Sequence, residues 1–208
     1  MREVFLIIIF LVLIGCDGQT KTNHKTTTDK METFDIENFE KNKGRGKIYD
    51  DPHIYDYKTQ DGLYIVQSKY EQDDYYSEEV SKEFSPYRYR YTYDLSGYRE
   101  TEMNEFNNSV LVTKGYDKNG KLIKETNFDK NFKHTFEQIR EIVLKEKQVD
   151  IYDTRQAVAL RHDTPDATLK KYYQIHVLKS ELVGGEWYSQ PNYSFLIDDE
   201  TGKIFIHE

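Results

Sequence analysis

Tyr93-Asp94-Leu95-Ser96-Gly97-Tyr98 and Tyr116-Asp117-Lys118-Asn119-Gly120-Lys121 are two versions of one local design, 23 residues apart. In each, an aromatic residue precedes an Asp, and a Gly stands three residues after that Asp. An Asp carboxylate accepts backbone N–H groups across a tight turn, and Gly takes the positive φ that closes it. The aromatic residue packs across the ribbon of the flanking strands. Asp129-Lys130-Asn131-Phe132 reads as a degenerate third copy, and Asp198-Asp199-Glu200-Thr201-Gly202-Lys203 repeats the turn near the end. Upstream, Asp61-Gly62 feeds the β-branched run Leu63–Val66, a hairpin signal. Residues 33–132 are therefore expected to be a β-hairpin region. The chain's 18 Tyr and 11 Phe against 4 Pro suit strands, where a ring packs on one face and its hydroxyl reaches the rim.

Working outward, Phe34, Ile36 and Phe39 fall between helical and strand spacing, so this segment is a short helix or an extended arm, ended by Gly44 and Gly46. Downstream, Thr135-Phe136-Glu137-Gln138 is a capping box, in which hydroxyl and amide each satisfy one orphan N–H. The helix it opens places Phe136, Ile139, Ile142 and Val143 on one face, to about Lys147. Strand-like runs follow at Gln156–Arg161 (Val158, Leu160), Tyr172–Leu178, Tyr193–Ile197 and Ile204–His207. The expected fold class is α+β: antiparallel β hairpins followed by a helix packed on a 3–4-stranded antiparallel sheet, with residues 133–208 as the α+β domain.

At the front, Val4–Ile14 is an unbroken apolar run behind Arg2, the length of a signal-peptide core and short of the roughly 20 residues that span a bilayer. Leu13-Ile14-Gly15-Cys16 resembles the bacterial lipobox, which implies cleavage before Cys16 and a lipid on that residue. Cys16 is the single cysteine of 208 residues, so no disulfide competes for it. Residues 1–15 are thus expected to be a lipoprotein signal and residues 16–32, polar and rich in Thr and Lys, a tether reaching roughly 20–25 Å. An uncleaved anchor is the alternative. The expected address is the cell envelope, with the outer membrane favoured over the inner. The net charge of −8 argues against nucleic acid as a partner, since both would be polyanions, and is compatible with a basic protein.

Two family resemblances follow from these residues. Residues 135–208 are similar to a PepSY-type domain: a helix, then strands, closing on the Asp198-to-Lys203 turn and a last strand. Residues 86–133 resemble the YD-type and YwqK-like antitoxin repeats, with Tyr116, Asp117, Gly120 and Leu122 matching and Arg99 departing from the leucine of the first copy. The order Phe34–Lys43, Asp61-Gly62, Tyr75–Glu79, Tyr116–Gly120 and Phe132–Phe136 resembles Bacteroidetes proteins associated with polymorphic or type VI toxin loci. That resemblance implies a toxin-immunity role.

The six His residues show no zinc-ligand spacing, and no Gly-x-Ser-x-Gly or P-loop occurs. No catalysis, cofactor or metal is expected. Asp117-Lys118-Asn119-Gly120 has its Gly at the fourth rather than the sixth position of a calcium loop, so it reads as a turn. Three segments are candidate contacts. Ser85–Tyr93 puts Tyr87, Tyr89, Tyr91 and Tyr93 on one strand face and Arg88, Arg90 and Thr92 on the other, as a core face or an aromatic interface. Glu71–Glu79 carries Asp73, Asp74, Glu78 and Glu79, as a solvated loop or an acidic plug for a basic toxin cleft. Trp187, after Gly184-Gly185, is expected in a loop as a third contact. The expected function is a membrane-anchored lipoprotein that binds and neutralises a cognate toxin by occluding it. The alternative is a PepSY-like envelope binding or inhibitor module with a housekeeping role.

Overall fold

The computed structural model describes residues 33–165 and 169–206. The expected signal segment, Cys16 and the tether over 16–32 lie outside them. The described residues cluster as one compact unit.

The chain is mostly β, which overturns the α+β expectation. Eleven strands form two antiparallel sheets, with two helices among the described residues. The first sheet has seven strands in sequence order: β1 (Ile54–Lys58), β2 (Leu63–Ser68), β3 (Tyr75–Lys82), β4 (Tyr87–Asp94), β5 (Arg99–Phe106), β6 (Ser109–Tyr116) and β7 (Leu122–Asn127). The second has order β11-β10-β9-β8, from β8 (Ala157–His162), β9 (Tyr172–Val183), β10 (Glu186–Asp198) and β11 (Ile204–Ile206). The hairpins, rather than forming separate units, join edge to edge into one continuous sheet.

Local chemistry explains the turns. Asp94 Oδ1 accepts the Ser96 and Tyr98 N–H groups and Asp117 Oδ1 those of Asn119 and Lys121, each at 2.9 Å. The Gly residues behind them sit at φ 84° (Gly97) and 76° (Gly120). The same turn closes at Gly202, and also at Gly62, where Thr59 Oγ1 replaces the carboxylate and accepts Leu63 N–H at 3.0 Å. Asp129–Asn131, expected as a third repeat, is instead one turn of 3₁₀ helix leading out of β7. β5 and β6 meet at Asn107-Asn108, both at positive φ (49° and 76°), as a two-residue hairpin requires.

Helix α1 (Ile36–Asn42) begins on an Asp35 cap and buries Phe39 completely. Phe34 N–H donates to Gly97 O at 2.8 Å, and Phe34, Phe39, Tyr76 and Tyr93 pack ring on ring over one end of the large sheet. Helix α2 (Phe136–Lys147) carries the expected capping box and adds Phe136, Ile139 and Val143 to a second core. Eight of that cluster's twelve buried residues come from strands: Phe106 of β5 and seven from β8–β10. Phe106 stacks on Phe136 at 4.0 Å, so this core crosses the expected boundary between residues 132 and 133. In β8 the face toward α2 carries Ala157 and Ala159, both fully buried, while Val158 and Leu160, the expected core positions, are half-buried on the reverse.

Candidate binding surface

The acidic segment does not form one surface. Glu71–Asp74 is the turn between β2 and β3, where Lys69 Nζ donates to the Asp73 carbonyl oxygen. Glu78 and Glu79, expected in the same loop, lie within β3 and point to opposite faces. Glu78 accepts from Gln67 Nε2 at 2.7 Å and from the Tyr93 hydroxyl at 3.3 Å. Glu79 meets Arg88 Nε at 3.2 Å and Arg90 Nε at 3.1 Å. Glu78 and Glu79 are thus engaged within the sheet on opposite faces, apart from Asp73 and Asp74 in the turn.

The tyrosines of β4 share one face and have divergent surroundings. Tyr93 is 3% exposed beneath Phe34, and Tyr87 packs edge-on to Phe106 and donates to the Tyr152 hydroxyl at 2.9 Å. Burial raises both phenols above their ordinary range, helped at Tyr93 by Glu78 and at Tyr87 by Tyr152. Tyr91 is half-buried with the Arg99 guanidinium 4.4 Å from its ring centre; burial, then Glu102 and Glu78, pushes its phenol up to about 12. Tyr89 alone is exposed, at 39%. Three of the four are thus packing residues.

Trp187 is in β10, not in a loop, and it marks a feature the residue pattern had understated. β8 pairs with β9 only as far as Val177, and β11 pairs with β10 only over Phe195–Ile197. From Leu178 to Tyr193 the chain is a two-stranded ribbon, closed at Gly184 and Gly185 with φ 63° and 92°. Its paired strands, residues 178–183 and 186–191, run roughly 20 Å at about 3.3 Å per residue. Every residue from Glu181 to Tyr193 is exposed, including Leu182, Val183, Tyr188 and Tyr193.

A two-stranded ribbon is marginal in water by itself. This one is held against the body along its length, at the root through Leu178 and Ser180 and near the tip through Trp187, one residue pair from the Gly184-Gly185 turn. Arg155 lies 4.3 Å from the Phe84 ring centre and 4.8 Å from that of Trp187. Asp153 holds the guanidinium in a two-pronged pair at 2.9 and 2.7 Å. Those hydrogen bonds hold the Asp153 carboxyl below the ordinary range. Ser180 Oγ donates to the Arg155 carbonyl oxygen, and Leu178 N–H to that of Gln156 at 2.8 Å. Along the arm, Val183, Glu181 and Lys179 share a face with Glu186, Tyr188 and Gln190, opposite the face on which Trp187 meets the body. Gly184-Gly185 between Leu182-Val183 and Trp187-Tyr188 is the hairpin signal that marks the arm in the sequence.

Among the described residues no three His, Cys, Asp or Glu side chains are grouped to hold a metal ion, and no helix is long and apolar enough to cross a membrane. His176, on the outer face of the second sheet, forms a cross-strand contact with Ser194 Oγ at 2.7 Å. No family model matches the chain, and no curated protein or solved structure matches it significantly.

Proposed function

We propose that this protein is an envelope-tethered lipoprotein that binds and neutralises a toxin by occlusion, and that the β9–β10 arm is its contact element. The observation that carries this reading is the exposed ribbon itself: thirteen consecutive exposed residues, with Val183 and Tyr188 on the face opposite the one by which Trp187 meets Arg155. Exposed apolar and aromatic residues on the outer face of a backbone-paired element contact water with no gain in folding. The same residues gain burial when a partner closes around them. A ribbon held against the body by Ser180 and Trp187 presents that face to a partner with little loss of conformational freedom. The lipid on Cys16 would concentrate the arm at the membrane where an envelope-directed toxin arrives.

Protection tests the reading. The product of the gene immediately upstream is expressed in the periplasm with the wild-type protein, with Val183→Ser/Tyr188→Ala, or with neither. Survival only with wild type supports the proposal. A harmless neighbour, or equal killing in all three strains, ends it in favour of a housekeeping binding module.

A further inference from the structure

We propose that the outer face of the seven-stranded sheet carries a second site, which binds a neutral carbohydrate. The place is a cavity of about 330 Å³ whose lining includes Tyr75, Ser77, Arg90, Thr92, Thr101 and Met103. Strand register assembles it: Ser77 is opposite Thr92, Thr92 opposite Thr101, and Arg90 opposite Met103. The cavity lies on the side of the sheet opposite the buried tyrosines of β4.

Three chemical features define the ligand. The first is hydroxyl density. Ser77 Oγ is 2.6 Å from Ser68 Oγ, and Thr92 Oγ1 is 2.7 Å from Thr101 Oγ1. Two hydroxyls that share one hydrogen bond keep one O–H and several lone pairs for an outside group. That combination of donor and acceptor suits the vicinal hydroxyls of a sugar. The second is that the charged groups of the lining are already engaged within the sheet. Glu79 lies between Arg88 (3.2 Å) and Arg90 (3.1 Å), and Arg90 also reaches Glu105 at 3.3 Å. Glu78, which also lines the cavity, accepts from Gln67 Nε2 at 2.7 Å, so each charged group of the lining already has a partner in the sheet. The third is an apolar platform. The Tyr75 ring, 37% exposed at the rim, and the Met103 thioether offer a surface for the C–H face of a pyranose. A volume near 300 Å³ is at the small end of ligand pockets and suits one or two sugar rings.

The test uses the full chain in a sugar-free detergent, with maltotriose and N-acetylchitotriose as probes. Methyl resonances of Thr92 and Thr101 should shift saturably with at least one trisaccharide, with a Kd in the millimolar range. Tyr75→Ala should weaken that binding about tenfold with an unchanged thermal melt. Tyr75→Trp should restore it, and Tyr188→Ala on the arm should leave it untouched. No saturable shift with either probe up to ~50 mM, well beyond a millimolar Kd, overturns the proposal. So does equal binding by Tyr75→Ala, or a stronger response to inorganic sulfate than to either trisaccharide.

Discussion

Gly62 and Gly97 close equivalent turns at nearly the same φ, 86° and 84°, yet replacing each by Ala should have different costs. Alanine in the left-handed region costs about 1–2 kcal/mol at either position. At Gly62 that is the whole effect, because nothing lies within 4 Å of a Cβ built there. At Gly97 the new methyl would stand 3.0 Å from the Phe34 carbonyl oxygen and 3.4 Å from Ile36 Cδ1. The segment leading into α1 must then shift. With it goes good geometry in the hydrogen bond from Phe34 N–H to Gly97 O, 2.8 Å long, and in the packing of Phe34 and Phe39 on Tyr76 and Tyr93. Overpacking of this kind adds about 1–3 kcal/mol, so Gly97→Ala should cost about 2–5 kcal/mol against about 1–2 for Gly62→Ala. Urea unfolding of both variants, with coincident fluorescence and circular dichroism transitions, measures the difference. Equal losses would refute the docking of the Phe34 segment on the Asp94–Gly97 turn.

Asp56, 2% exposed, accepts the amides of Lys47, Ile48 and Tyr49 at 2.9–3.2 Å and ties residues 47–49 to β1. Asp56→Ala should therefore cost about 2–4 kcal/mol by orphaning several N–H groups, read by the same urea assay. Arg155→Ala should release the arm: hydrogen exchange at residues 181–188 should accelerate strongly while exchange in β5 and α2 stays unchanged. Arg140 binds Asp150 with two hydrogen bonds of 2.7 Å, which hold that carboxyl below the ordinary Asp range. Such a depressed carboxylate stabilises the fold above the unfolded pKa of about 3.9 and loses that contribution as pH falls through the folded value. The Tm gap between wild type and Arg140→Ala should thus be steady near neutrality and close below about pH 4.

The elements most legible in the sequence were those whose chemistry is local. Asp94 and Asp117 accept N–H groups only two and four residues ahead, and Thr135 and Gln138 cap each other across one helical turn, so spacing alone reveals them. The turn at Thr59 was harder to read, because a hydroxyl performs the task of the Asp carboxylate and Asp61-Gly62 draws attention away from it. The fold class depended on pairing between hairpins, such as β2 with β3 and β4 with β5, which no local pattern encodes. In Glu71–Glu79 the run of charge concealed an alternating strand, since Glu78 and Glu79 are satisfied by Gln67, Arg88 and Arg90 from neighbouring strands. Trp187 read as a loop residue for a related reason: an exposed ribbon has no buried face, so its strands show no apolar alternation. The cavity beside Tyr75 had no sequence signature, because its lining comes from three strands.

The most direct measurement is calorimetric titration of the purified upstream gene product into this protein and its variants. Wild type should bind, and Val183→Ser/Tyr188→Ala should lose about thirtyfold or more in affinity, the scale of a hot spot near 2 kcal/mol, with its melt unchanged. Asp73→Asn/Asp74→Asn should bind within about twofold of wild type, since those residues lie in the separate β2–β3 turn. Undiminished binding by the arm variant, or a large loss in the acidic-turn variant, would contradict the assignment of the β9–β10 arm as the contact element.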